Sequence, residues 1–93
     1  IELNPGYSYA YDTRSEAYTN IGEYDRAITD SNKAIELAPA HAYNYRTRGI
    51  AYQYKGEYEK AIADLEKCIE LSKDASLTRE AQQILQELRT KRP

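Results

Sequence analysis

The chain has 93 residues, room for one small domain or a few units of a repeat array. Eight Ile, seven Leu and no Val, Phe, Trp or Met leave few large aliphatic side chains, but ten Tyr and twelve Ala raise the apolar share to 41%. With a formal charge of only −2, disorder is excluded, and the lack of Val and the scarcity of other β-branched residues argue against a sheet. An all-helical chain is expected, because Ala, Glu, Lys, Arg, Gln and Leu dominate.

Five helices are expected in chain order. The first covers about residues 8–21, where Tyr11, Ser15 and Tyr18 share one face at i, i+4, i+7. Gly22 ends it, since glycine tolerates the left-handed cap conformation. The second covers about 24–37, with Tyr24, Ala27, Ile28, Ser31, Ala34 and Ile35 as its apolar stripe and Pro39 beyond its end. The third, about 42–55, repeats the first with Tyr45, Gly49 and Tyr52 and stops at Gly56. The fourth, about 58–71, repeats the second with Tyr58, Ala61, Ile62, Leu65, Cys68 and Ile69. The last, about 74–91, carries one narrow stripe of Leu77, Ala81, Ile84, Leu85 and Leu88 beside Gln82, Gln83, Gln86 and Glu87. That polar outer face reads as a cap. Arg89, Lys91 and Arg92 complement the negative end of this helix as a solvated tail.

These elements follow a period of 34 residues. Ile1-Glu2-Leu3 recurs as Ile35-Glu36-Leu37 and Ile69-Glu70-Leu71, and Pro5 as Pro39, so both prolines are expected to stop a second helix. Gly22-Glu23-Tyr24 recurs as Gly56-Glu57-Tyr58, and Ala27-Ile28 as Ala61-Ile62. Tyr9/Tyr43, Tyr11/Tyr45, Tyr18/Tyr52 and Tyr24/Tyr58 are equivalent pairs. Short loops then make each helix pair an antiparallel hairpin. The expected organisation is a tail of a preceding unit at 1–5, units at 8–39 and 42–73, and a capping helix at 74–92. With no initiator methionine, the chain reads as an excised piece.

Tyr-x-x-Arg-Gly-x-x-Tyr, Gly-Glu-Tyr, Ala-Ile and a closing Pro at this period resemble the tetratricopeptide repeat (TPR). The resemblance implies helical hairpins stacked in a right-handed superhelical α-solenoid. Ser15 and Gly49 would face Ala27 and Ala61, so that paired helices cross closely. The chain departs from the family pattern at Arg14 and Arg48, where Leu is usual, and at Ser31, where a large apolar residue is usual.

Nothing in the sequence supports an enzyme, a metal site or a cofactor. His41 is the one histidine, Cys68 replaces Ala34 on a core stripe, and the four glycines form no phosphate loop. Asp12 and Glu16 stand at i, i+4, where a carboxylate pair could hold a cation but more often forms a solvated face. Arg14 with Asp30, and Arg48 with Asp64, recur at one spacing and read as structural pairs between the helices of each hairpin.

The resemblance further implies a concave wall lined by first helices. Its candidate binding residues are Tyr9, Asp12, Glu16 and Asn20 in the first unit, with Tyr43, Arg46, Ile50, Gln53 and Tyr54 in the second. Tyrosines offer large area and a polar tip for a protein or peptide partner. Tyr9 and Tyr43 could equally cover the seams between repeats. Some relatives clamp the C-terminal carboxylate of heat-shock chaperones with Lys and Asn from the first helix and Asn from the next unit. Asp12, Glu16 and Thr47 stand there, and Ser76 or Leu77, then Glu80 or Ala81, in the third position set, so that tail is not expected as ligand. Neither nucleic acid nor membrane is an expected partner, since charge is mixed and no apolar run approaches ~18 residues. The alternative is structural: Ala10, Ala17 and Ile21 on the outer face of the first helix would join two copies as a homodimer. A lone cysteine fits a reducing, cytoplasmic compartment.

Overall fold

The structure, a computed structural model, describes residues 5–91. These form α1 (Pro5–Asn20), α2 (Tyr24–Leu37), α3 (Ala42–Lys55), α4 (Tyr58–Leu71) and α5 (Ala75–Lys91), and no strand occurs among them. α1 packs on α2 and α3 on α4 as antiparallel hairpins, α2 joins the two, and α5 packs on α4. α1, α3 and α5 lie side by side as an inner row. The five helices fit two repeats and a cap of a TPR array.

Local chemistry explains the boundaries. Gly22 and Gly56 adopt φ of 84° and 93°, and the following amides of Glu23 and Glu57 donate to the carbonyls of Tyr18 and Tyr52 at 2.9 Å. These six-to-one bonds close helices α1 and α3 with the glycine turn expected. At α5 the Asp74 carboxylate accepts from the amides of Ser76 (2.8 Å) and Leu77 (3.4 Å), so Asp74 caps the helix rather than opening it. α1 departs from expectation at both ends. Pro5 is its first residue, where a proline's missing N–H is no loss, and Ile21 lies beyond its last turn. The preceding segment, 1–4, lies outside the described residues, as does Arg92 of the expected basic tail. Within that tail, Arg89 pairs with Glu66 of α4 at 3.1 Å.

The core is uneven. Ala61, Ile62, Leu65, Cys68, Leu77, Ala81, Leu85 and Leu88 form a continuous apolar cluster between α3, α4 and α5. Between α1, α2 and α3 the apolar cluster is only Ala27, Ile28 and Ala51, with Tyr18 and Tyr52 against it. Hydrogen bonds fill the difference. Ser15 Oγ donates to the Ala27 carbonyl at 2.6 Å, and Ser8 Oγ to the Ala34 carbonyl at 3.0 Å. The fully buried Asn44 reaches Ser8 Oγ (3.0 Å) and the carbonyls of Ala34 (3.2 Å) and Ala38 (3.3 Å), fastening α3 to both helices of the first hairpin.

Both Arg–Asp pairs form as expected, each bidentate. Arg14 Nε and Nη2 meet Asp30 at 2.7 and 2.8 Å, and Arg48 Nε and Nη2 meet Asp64 at 2.8 and 2.7 Å. The aspartates are buried, and the guanidinium pKa values rise because of these hydrogen bonds. Cys68 is buried and its thiol is pushed up to about 11 by desolvation, which suits a core residue and leaves little thiolate.

Candidate functional site

The inner row carries two hollows that share Glu16 and Arg46. One, of about 480 Å³, is lined by Glu16, Thr19, Asn20, Tyr24, Arg46, Thr47, Ile50, Tyr54 and Glu80. The other, of about 420 Å³, is lined by Tyr9, Asp12, Thr13, Glu16, His41, Tyr43 and Arg46. Together they form a groove across α1, α3 and the start of α5. The helical register explains the grouping: residues at i, i+4 and i+7 on α1 and α3 point to one side. Of the nine candidate residues, all but Gln53 line one hollow or the other.

Arg46 sits at the centre. Its Nη1 donates to Glu80 Oε1 at 2.9 Å and its Nη2 to Glu16 Oε2 at 3.4 Å, and its guanidinium lies 5.2 Å from the Tyr43 ring centre. Desolvation opposes the charge on Arg46, but the Glu80 hydrogen bond and the carboxylates around it win, and its pKa is raised. Asp12, Arg46 and Glu80 occupy the same position in successive units, 34 residues apart, and alternate in sign. Carrying the repeat offset into the last helix would have found Glu80.

Asp12 is less well served. Its Oδ1 is buried without a hydrogen-bond partner, and the neighbouring Thr47 hydroxyl gives its proton to the Tyr43 carbonyl at 3.0 Å. Desolvation raises the Asp12 pKa, reinforced by Glu16 and opposed by Thr47, Arg46 and His41. Thr19, missed in the sequence, lines the larger hollow at 8% exposure with its Oγ1 unpartnered.

Tyr43 has both geometries left open above. It lines a hollow, and its hydroxyl donates to Asp74 Oδ2 at 2.8 Å, tying α3 to the cap of α5. Tyr9 and Tyr54 stand at opposite ends of the groove, 74% and 62% exposed. Tyr54 stacks on Tyr24 with ring centres 6.0 Å apart. Ala10 and Ala17 on α1, and Ile21 just beyond its end, are exposed and line neither hollow.

No group of three or more His, Cys, Asp or Glu among the described residues could hold a metal ion. No helix among them is long and apolar enough to cross a membrane.

Helical hairpins at a 34-residue period, close crossings at small residues and a polar cap define a helical-repeat protein. The Tetratricopeptide repeat family model matches residues 15–86, and the chain belongs to that family. Among solved structures it is similar to the first TPR of Spaghetti (RPAP3) bound to the HSP90 peptide SRMEEVD. The two are 29% identical with a TM-score of 0.74, over 92% of this chain and 67% of that one. No curated protein matches the chain.

Proposed function

We propose that the chain is a protein-interaction module that holds an extended peptide or partner segment in the groove of α1, α3 and α5. The observation that carries this reading is the pair of exposed tyrosines, Tyr9 and Tyr54, at the two ends of a groove with a polar, partly unpaired interior. The similar domain bound to an HSP90 peptide supports peptide recognition as the mode. It lends no support to excluding a chaperone tail, which rests here on the mismatched residues Asp12, Glu16 and Thr47 and on the α5 positions Ser76 or Leu77 and Glu80 or Ala81. Binding without catalysis is the function proposed. The free, buried Cys68 fits a reducing cytoplasmic setting.

A photo-crosslinking side chain placed at Tyr9 or Tyr54 tests the reading against the same group at Thr29 or Ala63, equivalent exposed positions on α2 and α4. Partner adducts from the groove positions are expected. Adducts from Thr29 and Ala63 alone would move the site to the outer face.

A second reading, self-association, has its own observation. Ala51 is fully buried beneath Ala27 and Ile28 of α2, while Ala17, at the same position of α1, is exposed beside Ala10 and a 72% exposed Ile21. A second copy covering that face would make a homodimer. Sedimentation should then show a dimer that Ile21→Lys dissociates. A monomer at high micromolar concentration overturns it.

A further inference from the structure

We infer that the groove selects a cationic peptide segment, one bearing lysine or arginine side chains, over an acidic one. This rests on the groove reading above and adds the chemistry of the ligand.

Three carboxylates, Asp12, Glu16 and Glu80, line the two hollows against one guanidinium, and no lysine lines either. Both terminal nitrogens of Arg46 are taken by carboxylates, and its Nε, though without a hydrogen-bond partner, is buried away from an incoming anion. Only 19% of its side chain is exposed, it is held by Glu80 and Glu16, and Tyr43 covers one face. An acidic ligand would have to break those pairs while facing the remaining carboxylates. Three further cations on α1 and α3 are engaged away from the hollows: Arg14 by Asp30, Arg48 by Asp64, and Lys55 by Asp25 at 2.7 Å.

A cation meets the reverse situation. Asp12 lines a hollow of about 420 Å³ whose other walls include Tyr9, His41 and Tyr43, and its buried Oδ1 has no hydrogen-bond partner inside the fold to offset the charge. A carboxylate among aromatic rings suits an ammonium or guanidinium, which gains a charge-assisted hydrogen bond and a ring face together. In the adjoining hollow the nine-tenths buried Thr19 is a second lining residue whose polar atom has no hydrogen-bond partner inside the fold.

The test uses fluorescein-labelled peptides with the 93-residue chain: a seven-residue peptide carrying three lysines, its counterpart with three glutamates, and SRMEEVD. The lysine peptide should bind at least about tenfold more tightly than either acidic peptide at low ionic strength, with the advantage shrinking as salt is added. Asp12→Asn and Glu16→Gln should each weaken it several-fold, whereas Asp25→Asn on α2 should not. Amide shift changes should fall on α1 and α3. Equal or tighter binding of an acidic peptide in the groove overturns the charge selection and leaves the groove reading standing. Lysine-peptide shifts confined to α2 and α4 overturn the groove reading itself. No binding of the lysine peptide at millimolar concentration overturns the inference.

Discussion

The hydroxyls of Ser15 and Ser31 lie 2.6 Å apart where α1 crosses α2. Ser15 gives its own proton to the Ala27 carbonyl, so Ser31 donates to Ser15. At the same crossing of the second hairpin, Gly49 faces Leu65. A Cβ on Gly49 would stand 3.1 Å from Leu65 Cγ and 3.3 Å from Asp64 Cβ. One fold thus accepts two solutions to a single crossing: two small hydroxyls, or no side chain against a large one.

A double-mutant cycle follows from that exchange. Ser31→Leu alone should overpack the first crossing and destabilise by ~1–3 kcal/mol. Ser15→Gly alone should cost about as much, through glycine's poor helix propensity and a stranded Ser31 hydroxyl. The double variant recreates the second hairpin's pair, and it should recover about 1 kcal/mol or more relative to the sum. Urea denaturation of the four proteins measures this, and additive losses would show that the two crossings are not interchangeable.

Arg48→Ala should be more damaging than Arg14→Ala. Each leaves a buried aspartate without its bidentate partner, but the Arg48 side chain is 22% exposed and Arg14 59%, so water replaces the first less readily. Arg48 also donates to Asn32 Oδ1 on α2 at 3.0 Å. A loss of about 2 kcal/mol is expected for Arg48→Ala. Thermal melts of the two variants should rank them in that order.

Most of the helical frame was legible because the period repeats every signal. Glycine caps, apolar stripes and the Arg–Asp spacings each occur twice, and helices α2, α3 and α4 fall where the residues put them. What repeats least was read least well. Pro5 can stop one helix or open the next, and local sequence does not distinguish the two. Asn44 stands where the other unit has Ala10, so matching equivalent positions passed over it, although it links three helices. The groove's candidate residues were reached through the helical register and the family resemblance, but their pairing was not. That Arg46 is held by Glu80 depends on how α5 packs, and the loop at 72–74 carries none of the repeat's markers.

Asn44→Ala should therefore destabilise by ~1–3 kcal/mol, more than an ordinary surface change, because the Ala38 carbonyl loses its Asn44 side-chain donor and a cavity opens in the polar part of the core. Amide exchange should quicken at the α2–α3 junction before it does in the α4–α5 cluster. Uniform loss of protection would mean that the two clusters unfold as one.

Asp12 and Asp74 should respond to pH in opposite senses. Asp74 has its pKa lowered by the Tyr43 hydroxyl and the amides of Ser76 and Leu77, so its contribution is present at neutral pH and is lost as pH falls through that lowered value. Asp12 has its pKa raised, chiefly by desolvation, with Glu16 on its own helix adding to the shift and Thr47 and Arg46 of α3 and His41 before it opposing. Above the raised value its charge destabilises the fold. Acidification through that window, toward 3.8, removes the penalty because the folded chain binds the extra proton. Asp12→Asn should accordingly be more stable than the parent at neutral pH, and the difference should close as the pH approaches 4. Denaturation of the pair across pH 4–7 reads the difference directly and cancels the titration of every other carboxylate. A gap that widens on acidification would show that Asp12 is held as a paired carboxylate, and the groove would then lack its uncompensated charge.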